Sequence, residues 1–171
     1  MSSYFGVEPE ATGLKYILWL VIEDPELREH TQYNFTQRTY EENTNAGFDL
    51  VTAENWTAAP QTPSYLLNLG VKAMMTRKDT GESVHYWLAP RSSVYKTGCM
   101  MANSMGVIDR TYRGVLKAPV VAVAASATGF QKGDRHFQIM APDLGWIEAV
   151  RIVESLPETV RGEGGFGSTG R

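Results

Sequence analysis

Tyr16 to Ile22 reads Y-I-L-W-L-V-I, an apolar run of strand length with no polar interruption. Such a run describes a strand buried on both faces, or one set at a subunit contact. The rest of the chain repeats the theme in shorter pieces. Tyr65 to Met75 is strand-like with a break at Gly70. Ser83 to Leu88 resumes after the turn signal Lys78-Asp-Thr-Gly81, and the two would pair as a hairpin. Val120–Ala125, Phe137–Met140 and Ile147–Val153 follow, divided by the polar corners Pro90-Arg-Ser-Ser93 and Lys132-Gly-Asp-Arg135. Short strands between turn signals, with little helical periodicity, predict an all-β sandwich or barrel. The one helix suggested is short, with Asp24 as cap and Pro25 in its first position. The polar stretch Gln32 to Asn45 and the proline-bearing link to Pro63 read as loops.

Composition removes several functions. The net charge of −3 gives no global basic field for nucleic acid, although a local cluster can still hold a small polyanion. One cysteine, Cys99, allows neither an internal disulfide nor a cysteine zinc site. The histidines His30, His85 and His136 are scattered, which argues against a histidine metal cluster. Met1 to Val7 lacks the basic start and apolar run of a signal peptide, and no apolar run is long enough to span a bilayer. The expectation is an intracellular protein, cytoplasmic or nuclear, with no membrane and no nucleic acid among its partners. Asn34-Phe-Thr36 and Asn55-Trp-Thr57 match the glycosylation pattern but have no use in that setting.

The chemistry concentrates in Ala102 to Gly114, A-N-S-M-G-V-I-D-R-T-Y-R-G. Val107 and Ile108 favour the interior, and Asp109 must turn out of the same wall. An acid on the rim of an apolar pocket suits a general base. Tyr112 can set a flat ring beside whatever Asp109 faces. Asn103 carries an amide donor and an amide acceptor, which suits reading a base edge. Taken alone, the stretch is equally a plain β-turn joining two strands.

The tail from Arg161 to Arg171 is too glycine-rich and polar to fold alone. Gly162-Glu-Gly164-Gly-Phe-Gly167 spells G-x-G-x-x-G, but no βαβ unit surrounds it. Gly162 to Thr169 resembles a P-loop, yet Ser168 stands where the lysine belongs. The composition fits either a disordered tail or a phosphate-binding one, since glycines expose backbone N–H groups and Ser168 and Thr169 add hydroxyls.

Five short stretches, in order, resemble the motifs of the trimeric dUTPases. They are Asn45-Ala-Gly-Phe-Asp-Leu50, Ala89-Pro-Arg-Ser-Ser93, Gly106-Val-Ile-Asp-Arg-Thr-Tyr-Arg-Gly114, Gly133-Asp-Arg-His-Phe-Gln138 and Arg161-Gly-Glu-Gly-Gly-Phe-Gly-Ser-Thr-Gly170. Each is weak alone, and five in order are specific. The resemblance implies a jelly-roll-like β-barrel in a homotrimer that hydrolyses dUTP to dUMP and pyrophosphate with Mg²⁺. It implies a body over residues 1–160, of which 1–45 are an N-terminal strand and an atypical loop. Residues 161–171 become a flexible arm closing over a neighbour's site.

The same resemblance implies roles. Asp109 activates the water that attacks the α-phosphorus. Tyr112 packs under the deoxyribose and rejects a 2′-hydroxyl. Asn103, in a narrow hairpin with Gly106, Val107 and Ile108, reads uracil. Arg91, Ser92, Ser93 and Gln138 hold phosphates, Ser92 more strongly than Ser93. Phe166 stacks on uracil, Arg161 meets the terminal phosphate, and Gly167, Ser168 and Thr169 wrap the triphosphate. Mg²⁺ is carried mainly by substrate phosphates and waters, with Asp49 orienting water near it or acting near the α-phosphate. Arg135 either joins the site or pairs with a carboxylate at a subunit contact. Thr111, Ala102, His136 and Phe137 depart from the usual pattern. His136 with Ser92 and Asp109 would spell a Ser-His-Asp set, against which stands a merely packed histidine. The rival functions are a dCTP deaminase-like enzyme and a non-catalytic nucleotide-binding regulatory protein of the same fold.

Overall fold

A computed structural model describes residues 13–38, 45–59 and 63–165. The tail residues Phe166, Gly167, Ser168 and Thr169 lie outside the described residues. In chain order the elements are β1 (Lys15–Val21), α1 (Pro25–Arg38), β2 (Gly47–Leu50), β3 (Tyr65–Asn68), β4 (Lys72–Arg77), β5 (Ser83–Val84) and β6 (Tyr86–Pro90). A 3-10 turn (Ser92–Thr97) follows, then β7 (Cys99–Met101), β8 (Gly106–Ile108), β9 (Lys117–Ala122), β10 (Phe137–Met140) and β11 (Trp146–Ile152).

The strands form three sheets, in the orders β11-β1-β4-β5, β2-β10-β6-β8 and β3-β9-β7. The all-β expectation holds for these sheets. Their inner faces share one core, built from Leu18, Leu20, Phe48, Leu50, Leu67, Met75, Leu88, Met101, Val120, Phe137 and Ile139. Burying each such side chain contributes about 1.5–3 kcal/mol relative to leaving it in water.

β1 is apolar throughout in sequence but alternates in the fold. Tyr16, Leu18 and Leu20 are buried, while Ile17, Trp19 and Val21 are only partly covered. It sits between β11, which runs parallel to it, and antiparallel β4. Trp19 on the second face donates its Nε1–H to Thr76 Oγ1 at 2.9 Å, and the Arg151 guanidinium lies 5.7 Å over its ring.

The expected hairpin between Tyr65–Met75 and Ser83–Leu88 is only partly made. β4 and β5 pair over Met75–Val84 and Thr76–Ser83, after which the chain crosses into the second sheet as β6. The break at Gly70 is likewise a change of sheet, because β3 pairs with β9 and β4 with β1. Gly70 has φ +66°, and a Cβ there would lie 2.5 Å from Leu27 Cδ1 and 2.9 Å from Ala53 Cβ. Only glycine meets both demands.

α1 corrects the reading of Gln32 onward as loop, since the helix continues to Arg38. Its start is as expected: Asp24 Oδ1 accepts the Glu26 N–H at 2.9 Å. Leu27 and Thr31, one turn apart, are buried. Apart from Tyr33 and Phe35 the rest of its sequence is polar, so hydrophobic periodicity was too faint to mark it. Among the described residues, no helix is long and apolar enough to cross a membrane.

Candidate functional site

The matched motifs gather at two places on the second sheet. The first is a cleft of about 430 Å³ lined by Asn45, Ala46, Gly47, Phe48, Asp49, Arg91, Ser92, Arg135, Gln138 and Met140. Register builds it. Gln138 on β10 stands opposite Asp49 on β2 and Ala89 on β6. Alternation sends Phe48, Leu50, Phe137 and Ile139 into the core and leaves Asp49 and Gln138 on the outer face. The Gln138 side chain lies across Gly47, where a Cβ would sit 2.0 Å from Gln138 Oε1. Its amide Nε2 donates to Pro90 O at 3.2 Å.

Asp49 lies between two arginines. Its Oδ1 is 2.9 Å from Arg91 Nε, and its Oδ2 is 3.9 Å from Arg135 Nη1. Arg91 also donates Nη1–H to Arg135 O at 2.7 Å. Arg135 therefore belongs to the cleft rather than standing apart from it. Ser92 is exposed at the start of the 3-10 turn and lines the cleft. Ser93 is not among the lining residues. Its Oγ lies 3.1 Å from His136 Nδ1 and 3.5 Å from Arg135 O. The suggested grouping of His136 with Ser92 and Asp109 is not made, since His136 meets Ser93 and Asp134 instead.

The second place is a cavity of about 180 Å³ lined by Leu88, Asn103, Gly106, Val107, Ile108, Asp109, Tyr112, Lys117, Arg161 and Gly165. Asp109 follows β8 directly. One of its oxygens pairs with Arg161, and the other lies 3.7 Å from His85 Nδ1. That same His85 nitrogen accepts the Arg110 N–H at 3.0 Å. The Tyr112 ring is buried, its hydroxyl donating to Val115 O at 2.9 Å. Burial pushes the phenol pKa up, with the Arg161 charge opposing. The Arg161 guanidinium sits 5.4 Å over the ring. Two motif glycines make room for it: a Cβ on Gly114 would lie 2.4 Å from the Tyr112 hydroxyl, and one on Gly165 2.6 Å from Tyr112 Cε2.

Two expectations need correction. Val107 is 63% exposed, not inside; strand alternation buries Ile108 and turns Val107 out. The Asn103–Ile108 stretch is not a two-stranded hairpin, since β7 pairs with β9 and β8 with β6. It is a tight crossing between sheets, with Ser104 at φ +64° and the Met105 N–H bonded to Asn103 O at 2.7 Å.

The arm root is tied to the Asp109 loop. Arg113 donates to Pro157 O, Arg110 O and Tyr112 O at 2.7, 2.8 and 3.1 Å, and its backbone N–H reaches Gly162 O at 2.7 Å. The Thr159 hydroxyl donates to Thr111 O and accepts the Gly162 N–H at 3.1 Å. Sequence reasoning passed over Arg113, His85 and Lys117. His85 and Arg113 meet their partners across 25 and 44 residues, so no local pattern could mark them.

No described residue lines both places. β6 and β8 pair antiparallel, so Asp109 stands beside the start of β6 while Arg91 and Ser92 follow its far end, about 20 Å along the strand at ~3.4 Å per residue. Asp109 and the Arg91–Ser92 corner therefore stand well apart within one chain. Among the described residues, no group of three or more His, Cys, Asp or Glu side chains is placed to hold a metal ion.

A family model described as dUTPase matches residues 34–170. A deoxyuridine 5′-triphosphate nucleotidohydrolase of Wolinella succinogenes is 35% identical over 127 residues, covering 74% of this chain and 80% of the relative. One from Corynebacterium jeikeium is 35% identical over 131 residues, covering 74% and 81%. Among solved structures, the dUTPase of Streptococcus mutans is similar with a TM-score of 0.49 and 31% identity, over 58% of this chain and 79% of that one.

Proposed function

We propose, for a chain that belongs to the dUTPase family and hydrolyses dUTP, that the two places are complementary parts of one active site completed between subunits. The observation that carries this is their separation: Asp109 stands at the Tyr86 end of β6, and Arg91 and Ser92 stand beyond its Pro90 end. A homotrimer of jelly-roll-like barrels, as the motifs imply, brings the cleft of one subunit to the cavity of another. The outer face of the third sheet supports assembly. Leu66 opposite Pro119 and Met100 opposite Val121 turn apolar side chains outward, with Leu66 and Met100 each 42% exposed. Uncovered apolar pairs of this kind favour a partner surface.

In this reading the cavity takes uracil and deoxyribose. Asn103 and the backbone of Gly106, Val107 and Ile108 read the base edge, and the buried Tyr112 ring leaves no space for a 2′-hydroxyl. Asp109 accepts a proton from water as that water attacks the α-phosphorus. The cleft takes the phosphate chain on Arg91, Ser92 and Gln138, with Asp49 holding the Arg91 fork in place. Arg161, which pairs with Asp109 in this chain, meets the terminal phosphate when the arm engages a substrate. Residues 161–171 act as that arm, with Phe166 stacking on uracil and Gly167, Ser168 and Thr169 around the phosphates, while residues 1–160 form the body.

Mg²⁺ fits this donor set only as an ion brought by the triphosphate. The cleft carboxylate, Asp49, is already shared between two arginines, so it orients waters rather than ligating. When bound, the ion neutralises charge on the phosphate oxygens.

The test is pyrophosphate release with Mg²⁺ from dUTP, dTTP, dCTP and UTP, beside the Asp109→Asn variant and a mass measurement in solution. Turnover of dUTP alone by a trimer, lost in the variant, is the expected result. Full turnover by a monomer would overturn the shared-site reading. Ammonia from dCTP would favour a deaminase, and dUTP binding without turnover a regulatory protein.

A further inference from the structure

His136 occupies one of the two positions that the fourth motif leaves free, yet it has the most directed contacts at the phosphate corner. Its Nδ1 lies 3.1 Å from Ser93 Oγ and its Nε2 3.8 Å from Asp134 Oδ2. Its backbone carbonyl accepts the Arg91 N–H at 2.8 Å. The ring is packed edge-on against Phe130, centroids 5.6 Å apart, and the side chain is 18% exposed.

We propose that His136 is a positioning residue for triphosphate recognition, gripping the chain on both sides of Ser92 and so setting the direction of the Ser92 hydroxyl. Its main chain holds Arg91 and its ring holds Ser93, and Ser92 is the single residue between these anchors. The inference rests on the reading that this cleft receives the phosphates.

The hydrogen-bond inventory assigns the roles of the two serines. The Asp134 carboxylate can only accept, and it is itself held by the Gln131 N–H at 2.9 Å. The charge of Asp134, 3.8 Å from Nε2, favours the tautomer with the imidazole proton on Nε2, which leaves Nδ1 as an acceptor. Ser93 has one proton, and both acceptors within its reach, Nδ1 and the Arg135 carbonyl, belong to this corner. Ser93 then has no proton left for a phosphate oxygen, which leaves Ser92 as the phosphate donor and makes Ser93 part of the frame. The charged groups facing the ring are Asp134 from its own corner and Arg91 from the loop after β6. Burial holds the imidazole pKa below its ordinary value; Asp134 opposes and Arg91 adds. The neutral ring that the arrangement requires is thus the one favoured at neutral pH.

Three substitutions separate positioning from packing. The δ atoms of asparagine fall where Nδ1 is, so His136→Asn keeps a partner for Ser93. The ε atoms of glutamine fall near Nε2, so His136→Gln keeps the Asp134 side and loses Ser93. Ser93→Ala removes the other end of the same bond. Kd would be measured by calorimetry, with Mg²⁺, for dUMP and for a dUTP analogue carrying an imido bridge between the α- and β-phosphates. KM and kcat for dUTP would be measured alongside.

Losing one neutral hydrogen bond predicts analogue affinity and KM weakened about three- to tenfold in His136→Gln and Ser93→Ala. Affinity for dUMP and kcat should stay within about twofold of the parent, and His136→Asn should restore the parent values. Unchanged analogue affinity in His136→Gln and Ser93→Ala would overturn the proposal, as would equal weakening of dUMP and analogue together with a lowered Tm. Ser92→Ala tests the underlying reading. If it leaves analogue affinity intact, the cleft is not the phosphate site and the proposal fails with it. If Ser92→Ala weakens binding while His136→Gln does not, only the role of His136 fails.

Discussion

The two halves of the proposed site are built on different principles. The phosphate cleft is held by strands and by its own bonds. Asp49, Gln138 and Ala89 are in register across β2, β10 and β6, and Arg91 is tied to Asp49, Arg135 and His136. The base cavity hangs from the end of a three-residue strand, and its outer wall is the root of the arm, held through Arg113 and Thr159. The cleft is a preorganised receptor, whereas the cavity changes whenever the arm root moves. Arm changes, which also remove the arm's own phosphate contacts, are therefore expected to cost turnover more than binding.

The sharpest break between them is Asp109→Asn. It should lower kcat by about 10²–10⁴-fold, the usual worth of a general base, while analogue binding persists; single-turnover kinetics with calorimetry checks both. Next is Arg113→Met, which removes the guanidinium bonds to Pro157 O, Arg110 O and Tyr112 O. A fall of about tenfold in kcat, larger than any rise in KM, is expected if the latch positions the base; a pure KM effect would erase the distinction drawn here.

Gly47→Ala addresses the cleft. The new Cβ meets the Gln138 side chain, 2.0 Å from Oε1, 2.8 Å from Cδ and 3.2 Å from Cβ, so the amide must swing aside and the strand give slightly. KM should rise about three- to tenfold with kcat nearly unchanged and Tm little moved, read by steady-state kinetics and calorimetric melting.

The smallest effect belongs to Asp24→Ala, which leaves Lys132, at the approach to the fourth motif, paired with Glu26 alone. Lys132 Nζ lies 2.8 Å from Asp24 Oδ2 and 3.0 Å from Glu26 Oε2. The hydrogen bond from Lys132, followed by the Glu26 N–H, holds the Asp24 carboxyl below its ordinary pKa. A depressed folded-state value means the stabilisation is present above the unfolded pKa of about 3.9 and is lost as pH falls through the folded value. The variant should melt about 1–3 °C lower at pH 7, and the gap should narrow under acid. A gap that widened under acid would assign the brace to another group.

Much of this was legible in the chain. Turn signals and short apolar runs announced an all-β body, and five ordered motifs announced dUTP hydrolysis. The helix after Pro25 escaped because Leu27, Tyr33 and Phe35 are too few among its polar residues to set a helical period. The exposure of Val107 escaped because a two-residue apolar run was read as inward, although a strand turns alternate residues outward. His136 read either as part of a set with Ser92 and Asp109 or as a packed histidine, since sequence order says nothing of which serine a folded corner brings to the ring.

Local chemistry is written in neighbouring residues. Turn glycines, the Asp24–Pro25 helix start and the residue types of each motif need no tertiary context, because backbone geometry and side-chain donors act within a few positions. Pairings between distant segments are decided only when strands choose partners and register. That choice carried β6 away from β5, set Asp49 opposite Gln138, brought His85 to Asp109 and His136 to Ser93, and left Asp109 and Arg91 at opposite ends of β6. The cause is that a strand's partner is selected by the burial of its whole face in a shared core, and that burial is a property of the assembled chain.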